Sequence, residues 1–310
     1  MQITDRKAWL EERRKGICAT DIAAISGIHP YKTALEVYVE KTEGTDKDLS
    51  DNEAVEWGLR LEEVIATKYA ESHGVELTDC GLVVHPDTDW RRATPDRLVV
   101  GEDRGVEVKT AGIRQAARWG EEQTDQVPEE YLVQVAWQCA TLGYDTWDIA
   151  VLLAGQEYRE YRLHRDKELE EGLIQLGHDF WNDHVLKRIP PPLDGSDSAR
   201  AYLLGRFPRN VEPLLTATPE AEEWAGKLRE AKDRIAEAEA DEARAKQELM
   251  AIIGDHDGIE GDFGKIYWRL QAGRASWKSI AEALNPPAEL IEKHTGPGTR
   301  VFRPYWKKGA

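Results

Sequence analysis

The sequence predicts an α/β protein of the α+β kind, a mixed core followed by a helical extension, and three observations carry that prediction. Over roughly the first 190 residues, stretches with helical spacing alternate with short β-branched runs bounded by Gly, Pro and Asp. Pro190-Pro191-Pro192 and Asp194-Gly195-Ser196-Asp197 then interrupt the pattern, as clustered prolines and turn formers do. Beyond Thr218 the apolar residues recur at steps of three, four and seven, the mark of one long helix. The expected organisation is a core over 1–193, a linker over 194–218, and a helical, coiled-coil-like extension with a small β tail over 219–310.

Each element follows from local chemistry. Thr4, Thr20 and Thr33 are suited to cap three helices, because a hydroxyl accepts from the free N–H groups of the first turn. Gly16 and Gly27 follow the first two, where a left-handed residue closes a helix. A longer helix is expected from near Asp51 to His73, ended by Gly74. Extended segments are expected at Gly81–His85, Arg97–Val100 and Gly105–Thr110. A helix over Tyr131–Leu142 stops at Gly143. Trp147–Leu153 and Tyr158–Leu163 form a hairpin about Ala154-Gly155, and a helix fills Lys167–Lys187. Thr218 and Pro219 suit the cap and first position of the long helix. Its seam runs through Trp224, Leu228, Ala231, Ile235, Ala238, Ala245 and Leu249, interrupted at Glu242. That seam fits packing within its own domain, a helix hairpin or a subunit contact. Asp262–Gln271, Trp277 and Val301–Trp306 are expected to supply the β tail.

Composition excludes several classes. With 41% hydrophobic residues and eleven tryptophans among 310 residues, the chain can bury a core, unlike a disordered protein. Cys18, Cys80 and Cys139 are isolated and odd in number, so no disulfide framework or CxxC site is offered and a cytoplasmic setting is expected. No signal peptide or membrane span is expected either. The net charge of −17 disfavours a polyanion as partner, since phosphate binding rests on Lys and Arg. The acid excess gathers between Glu220 and Asp262, however. Arg6, Lys7, Arg13, Arg14, Lys15, Arg91, Arg92, Arg97, Arg114 and Arg118 lie in the first 120 residues, so a basic cleft on an acidic protein is expected.

The chemistry centres on TPDRLVVGEDRGVEVKT, residues 94–110. Alternation along a strand puts Glu107 and Lys109 on one face and Val106 and Val108 on the other. Pairing of the two extended segments through the Gly101–Gly105 turn brings Asp96 near Glu107. Two close carboxylates require a cation or a proton between them. Oxygen ligands suit Mg²⁺ or Mn²⁺ rather than zinc, and two ions are expected. Lys109 can position the attacking water, help deprotonate it, or offset charge on a phosphate. The plain alternative is an exposed hairpin with an ordinary Glu–Lys pair. Glu62 falls in a stripe with Val55, Leu59, Ala66 and Tyr69, and a buried acid there needs a partner, either the metal or an arginine such as Arg60 or Arg92. Gln134 and Gln138 share a helix face with Tyr131 and either bridge a metal-bound water and a phosphate or face solvent. Tyr31, Trp90 and Trp119 are candidates for stacking on bases, worth about 1–3 kcal/mol each, against ordinary core packing.

Several blocks occur in one order: Arg13-Arg14 before Gly16-Ile17-Cys18-Ala19-Thr20-Asp21, Pro30-Tyr31-Lys32-Thr33, Trp57 to Glu62, Thr94-Pro95-Asp96, Glu107-Val108-Lys109, and Val127-Pro128 through Tyr131 to Gln134. Together, over roughly residues 8 to 190, they resemble the YqaJ-like viral recombinase family, relatives of phage lambda exonuclease within the PD-(D/E)XK nuclease superfamily. The resemblance implies a restriction-endonuclease-like core with a mixed central sheet flanked by helices. It implies metal binding by Asp96, Glu107, Glu62 and the main-chain carbonyl of Val108, with Lys109 serving the water and Gln134 assisting. A terminal 5′ phosphate on the DNA would meet an arginine before Gly16, Arg14 in preference to Arg13, and the hydroxyls of Thr20 and Thr94. The implied activity is 5′-strand degradation of linear double-stranded DNA by a ring-shaped trimer, leaving 3′ tails for an annealing protein in phage-type recombination. Two positions depart from the family pattern: Cys18-Ala19-Thr20 replaces a Gly/Ser run, and Arg97 follows Pro95-Asp96 where a glycine is usual. Endonuclease or single-strand and junction cutting on the same core is the nearest alternative; a non-catalytic DNA-binding or assembly module is the other.

Overall fold

The computed structural model describes residues 6–44, 51–210, 214–273, 275–296, 298 and 301–306. Helices α1 (Arg6–Arg13), α2 (Ala19–Ile25) and α3 (Ala34–Glu43) precede the long α4 (Glu53–His73). The Thr4 cap lies outside the described residues. Thr33 caps α3 as its chemistry requires: its Oγ1 accepts from the Glu36 N–H at 3.2 Å, and the Glu36 carboxylate accepts from the Thr33 N–H at 2.8 Å. Cys18, not Thr20, occupies the cap of α2, because the Asp21 carboxylate reaches back to the Cys18 N–H at 3.0 Å. Gly74 ends α4 with φ +63°, a conformation that Gly adopts without strain.

Strands β1 (Leu77–Thr78), β2 (Val83–His85), β3 (Thr88–Ala93), β4 (Arg97–Val99) and β5 (Arg104–Ala111) follow. Next come α5 (Ile113–Ala116), α6 (Glu129–Leu142), β6 (Thr146–Leu153) and β7 (Glu157–His164). The β6–β7 hairpin turns at Ala154 and Gly155, both at positive φ, which suits the right-handed twist of its strands. Helix α7 (Lys167–Asp179) continues into a π-helical segment, Phe180–Leu186. The β3 segment TDWRRA has too many charges to signal a strand; pairing with β2 and burial of Arg91 and Arg92 make it one.

The central sheet has the order β1-β4-β5-β6-β7. Its β5–β6 pair is parallel and the rest are antiparallel, so the sheet is mixed and helix-flanked, as expected. A parallel pair needs a crossover, which α5 and α6 supply. On one face Ile65, Ala66 and Tyr69 of α4 cover Val106, Val108 and Ala150. On the other, Val135 and Cys139 of α6 cover Trp147, Ile149, Val151 and Leu153. A third cluster joins α2, α3, α6 and α7 through Ile22, Val37, Trp137 and Leu173.

Gly16 marks a close approach between chain segments. A Cβ there would lie 2.2 Å from the Trp90 carbonyl oxygen, while Ile17 N–H donates to that same carbonyl. Because the obstacle is backbone, Gly16→Ala must displace the segment before α2 from β3. The expected result is a loss of about 1–3 kcal/mol, read as a lowered urea midpoint at unchanged slope; an unchanged midpoint would show that this approach is soft.

The residues expected to form the linker contain a helix, α8 (Asp197–Arg206), whose Ala199 is buried in the α2–α3–α7 cluster. One compact unit accordingly ends at Gly205 and a second begins at Arg206. The second holds α9 (Pro219–Ile253), the hairpin β8 (Gly258–Gly261) and β9 (Gly264–Tyr267), α10 (Trp277–Leu284) and α11 (Ala288–Lys293). The expected β tail is thus shorter. Trp277 opens a helix, where the Ser276 hydroxyl accepts from the Ser279 N–H at 3.2 Å, and residues 301–306 form no strand. No helix among the described residues is long and apolar enough to cross a membrane.

Candidate active site

Strand alternation on β5 sends Val106 and Val108 into the α4 layer and Glu107 and Lys109 towards α6. Glu107 is 1% exposed. Its Oε1 accepts from Lys109 Nζ at 2.5 Å and from Gln134 Nε2, and its Oε2 accepts from Gln138 Nε2 at 2.9 Å. The glutamines therefore face inward as a pair of donors on one carboxylate; the solvent-facing alternative does not hold.

Asp96 reaches this centre because β4 pairs with β5 only at Arg97–Val106 and Leu98–Gly105. Beyond Val106 that side of β5 is met by Asp96 itself, whose Oδ2 accepts from the Val108 N–H at 2.8 Å. Burial first, then the Glu107 charge, pushes the Asp96 carboxyl up to about 8, against the pull of Lys109. Burial acts to lower Lys109, yet the charges of Glu107 and Asp96 outweigh it and hold the ammonium above its usual value. Its Nζ also lies 5.1 Å from the centre of the Tyr131 ring, a favourable cation–π distance. Tyr131 shares its helix face with Gln134 and Gln138, and that spacing was the sequence signal for its place here.

Glu62 approaches from α4. The expected apolar stripe is buried only in its second half: Ala66 and Tyr69 are buried, whereas Val55 and Leu59 are exposed. The partner of Glu62 is neither Arg60 nor Arg92 but Arg97, whose Nη1 lies 2.7 Å from Glu62 Oε1. The same guanidinium pairs with Glu63 at 2.7 Å and Asp79 at 3.0 Å. The arginine that stands where a glycine is usual thus gathers three acids at the edge of the site. Asp96 still feels the Glu62 charge, though more weakly than that of Glu107.

The donor set suits a hard divalent cation. It is all oxygen, Glu107 is buried and Asp96 half-buried, and its one ammonium leaves the Asp96 carboxyl raised. Asp96 and Glu107 are its members as arranged. Among the described residues no three His, Cys, Asp or Glu side chains are gathered closely enough to hold a metal, and Glu62 is engaged by Arg97.

Placement distinguishes the two arginines. Arg13 Nη2 donates to Thr20 Oγ1 at 3.0 Å, while Arg14 Nη2 donates to the Gly44 carbonyl at 2.8 Å. Arg13, rather than the preferred Arg14, is the arginine beside Thr20. The Thr94 hydroxyl is buried and has no hydrogen-bond partner among the described residues. Several other arginines of the expected basic cleft are engaged by acids: Arg92 with Glu12 at 3.2 Å, and Arg118 with Glu130 through two 2.6 Å bonds. Trp119 stacks on Tyr131 inside the core and Trp90 packs against Trp137, so of the three aromatic candidates Tyr31, 74% exposed, is the one open to solvent. With Trp57, Thr110, Arg118 and Tyr131 it lines a cavity of about 400 Å³.

Fold and site together define a mixed α/β domain with a buried carboxylate–lysine centre. Residues 8–145 match the family model of the YqaJ-like viral recombinase domain. It is similar to YqaJ of Bacillus subtilis (strain 168), with 28% identity over 295 residues that span 94% of this chain and 92% of the relative. Among solved structures it is similar to LHK-Exo, an alkaline exonuclease from Laribacter hongkongensis solved in complex with dAMP. That likeness has 21% identity, covers 64% of this chain and 97% of the other, and has a TM-score of 0.48. A phage-related exonuclease from Haemophilus somnus has 13% identity, 56% and 96% coverage, and a TM-score of 0.43.

Proposed function

We propose that the chain is a metal-dependent exonuclease that degrades the 5′ strand of linear double-stranded DNA and leaves 3′ tails for homologous recombination. The observation that carries this reading is the meeting of Asp96, Glu107 and Lys109 in one buried centre on a YqaJ-like domain. Asp96 and Glu107 would hold Mg²⁺ or Mn²⁺, with Glu62 and the Val108 carbonyl as the further ligands that the resemblance implies. Bound there, the cation supplies Lewis-acid polarisation of the phosphate and a more acidic water.

The chain's own groups divide the remaining work. Lys109 is kept charged by two acids, so it serves as a fixed donor and positive charge beside the phosphate rather than as the base. Gln134 and Gln138 hold Glu107 from behind, fixing the orientation of its carboxylate. Tyr131 limits the motion of the ammonium. Arg13 with Thr20, and the hydroxyl of Thr94, are the groups offered to a terminal phosphate. On the same reading the enzyme works as a ring-shaped homo-oligomer on DNA ends and passes the 3′ tail to an annealing protein.

Digestion of an end-labelled duplex carrying a 5′-phosphate or a 5′-hydroxyl, with Mg²⁺ or EDTA, tests the proposal. Mononucleotides are expected from the 5′-phosphorylated strand in Mg²⁺, none in EDTA, and a covalently closed circle should stay whole. Cutting of the circle would replace the exonuclease reading by an endonuclease; absence of any product from linear DNA would favour the binding module.

A further inference from the structure

Helix α9 presents an apolar seam that the described residues of its own unit cover only in part, with Leu228, Ala231 and Leu249 half-buried. Trp224 is 61% and Ile235 56% exposed, and Ala238 and Ala245 are exposed as well. The seam keeps a strict seven-residue repeat. Its a positions are Leu228, Ile235, Glu242 and Leu249, and its d positions are Trp224, Ala231, Ala238 and Ala245. Such a repeat, held over about 39 Å of helix at 1.5 Å per residue, is the geometry by which two helices pack.

Size and charge both select the occupant and its direction. In a parallel copy each position meets itself, so Glu242 would face Glu242 and alanine would face alanine. In an antiparallel copy a positions meet d positions, and Leu228 falls opposite Ala245, Ile235 opposite Ala238, Glu242 opposite Ala231 and Leu249 opposite Trp224. Each bulky a side chain then meets a small d side chain except at the ends, the interdigitation that packed interfaces require. The flanking residues agree. The first half of the seam is flanked by Lys227, Lys232 and Arg234, and the second half by Glu239, Asp241 and Glu248 together with Lys246, which in this register meets Ala225. The same register makes three attractive pairs, Lys227 opposite Glu248, Arg234 opposite Asp241 and Lys232 opposite Glu239, whereas parallel pairing keeps two, Arg234 with Glu239 and Asp241 with Lys246, and sets Lys227 beside Lys232. The ion pairs these groups make now, Lys227 with Glu223 and Lys246 with Glu242, are exposed contacts within one helix and can be given up cheaply.

We infer that α9 is a self-association helix that pairs antiparallel, about a two-fold axis, with α9 of a second copy of this chain. A self-complementary patch of this kind closes on itself. This assignment is independent of the nuclease reading and needs no activity for its test.

The full chain, examined by light scattering or sedimentation, should have at least twice the mass of its Ile235→Asp variant, whether the first unit is single or itself a ring. Ile235 is exposed, so circular dichroism of that variant should be unchanged. For direction, Arg234→Cys combined with Asp241→Cys should form a covalent two-chain species under mild oxidation on a non-reducing gel. Arg234→Cys alone should not, which also controls for the half-buried Cys80. Equal masses for wild type and Ile235→Asp would overturn the interface. Failure of the double variant to cross-link, or equal cross-linking by the single variant, would overturn the antiparallel register.

Discussion

Lys109→Ala is expected to lower cleavage of a linear duplex by about 10²- to 10³-fold, the usual cost of removing one preorganised charge from a transition state, while the protein stays folded. The ammonium is fixed by Glu107 at 2.5 Å and by the Tyr131 ring, so its position is set before substrate arrives. Removal leaves Glu107 its two glutamine donors, and the Val106–Val108 face of β5 remains covered by α4. The effect should fall on kcat, with a native circular dichroism spectrum at the assay temperature, because the lysine acts on developing charge. Turnover within tenfold of wild type would remove Lys109 from the chemistry. Asp96→Asn offers a matching check, since it keeps the shape and takes away the second carboxylate.

Asp21→Asn should cost about 3–5 kcal/mol of stability at neutral pH, the range for breaking a buried ion pair by removing one partner. Asp21 is 1% exposed. Its carboxylate pairs with Lys32 at 2.9 Å and Lys41 at 2.6 Å, and Lys32 also pairs with Glu40 at 2.6 Å. Burial works to raise the Asp21 carboxyl, but Lys32 and Lys41 outweigh it and hold it well below its usual range. Lys32, against its own burial, is pushed up to about 12 by Asp21 and Glu40. The sign follows from the lowered acid. Its contribution is fully present above its unfolded value near 3.9 and is lost as pH falls from there towards the folded value. The gap between wild type and Asp21→Asn in urea unfolding should therefore be level from pH 7 to about pH 4 and should begin to narrow below that, by about 1 kcal/mol at pH 3. A constant gap would mean that the carboxylate's charge is not what stabilises. Because Lys41 also donates to the Arg13 carbonyl at 2.9 Å, the variant should loosen the Arg13–Thr20 pair as well.

Much of the site is written in short-range pattern. Alternation alone separates Glu107 and Lys109 from Val106 and Val108, since successive strand residues must face opposite ways. The glycine-bounded turn returns β5 beside β4 and brings Asp96 to Glu107. One helix face carries Tyr131, Gln134 and Gln138. Capping at Thr33 and the stops at Gly74 and Gly143 are likewise local. These features depend on backbone periods of 2 and 3.6 and on a few preferred dihedral angles, which neighbouring residues impose without help from the rest of the chain.

Partners distant in sequence belong to another class. Whether Glu62 meets Arg60, Arg92 or Arg97 depends on where α4 lies relative to the sheet, and all three cations are equivalent by composition. Arg13 ends α1 and Arg14 lies in the turn after it, so the way the chain leaves the helix decides which one reaches Thr20 and which one Gly44. The charged β3 becomes a strand, and the Ser- and Asp-rich stretch before Ala199 becomes a packed helix, because burial against other elements outweighs weak local preference. The sequence by itself determined the alternating faces, the turns and the chemistry of the acid–lysine set. Tertiary structure decided which cation meets which carboxylate, because charge pairing is blind to sequence distance and is selected by the packing of whole elements.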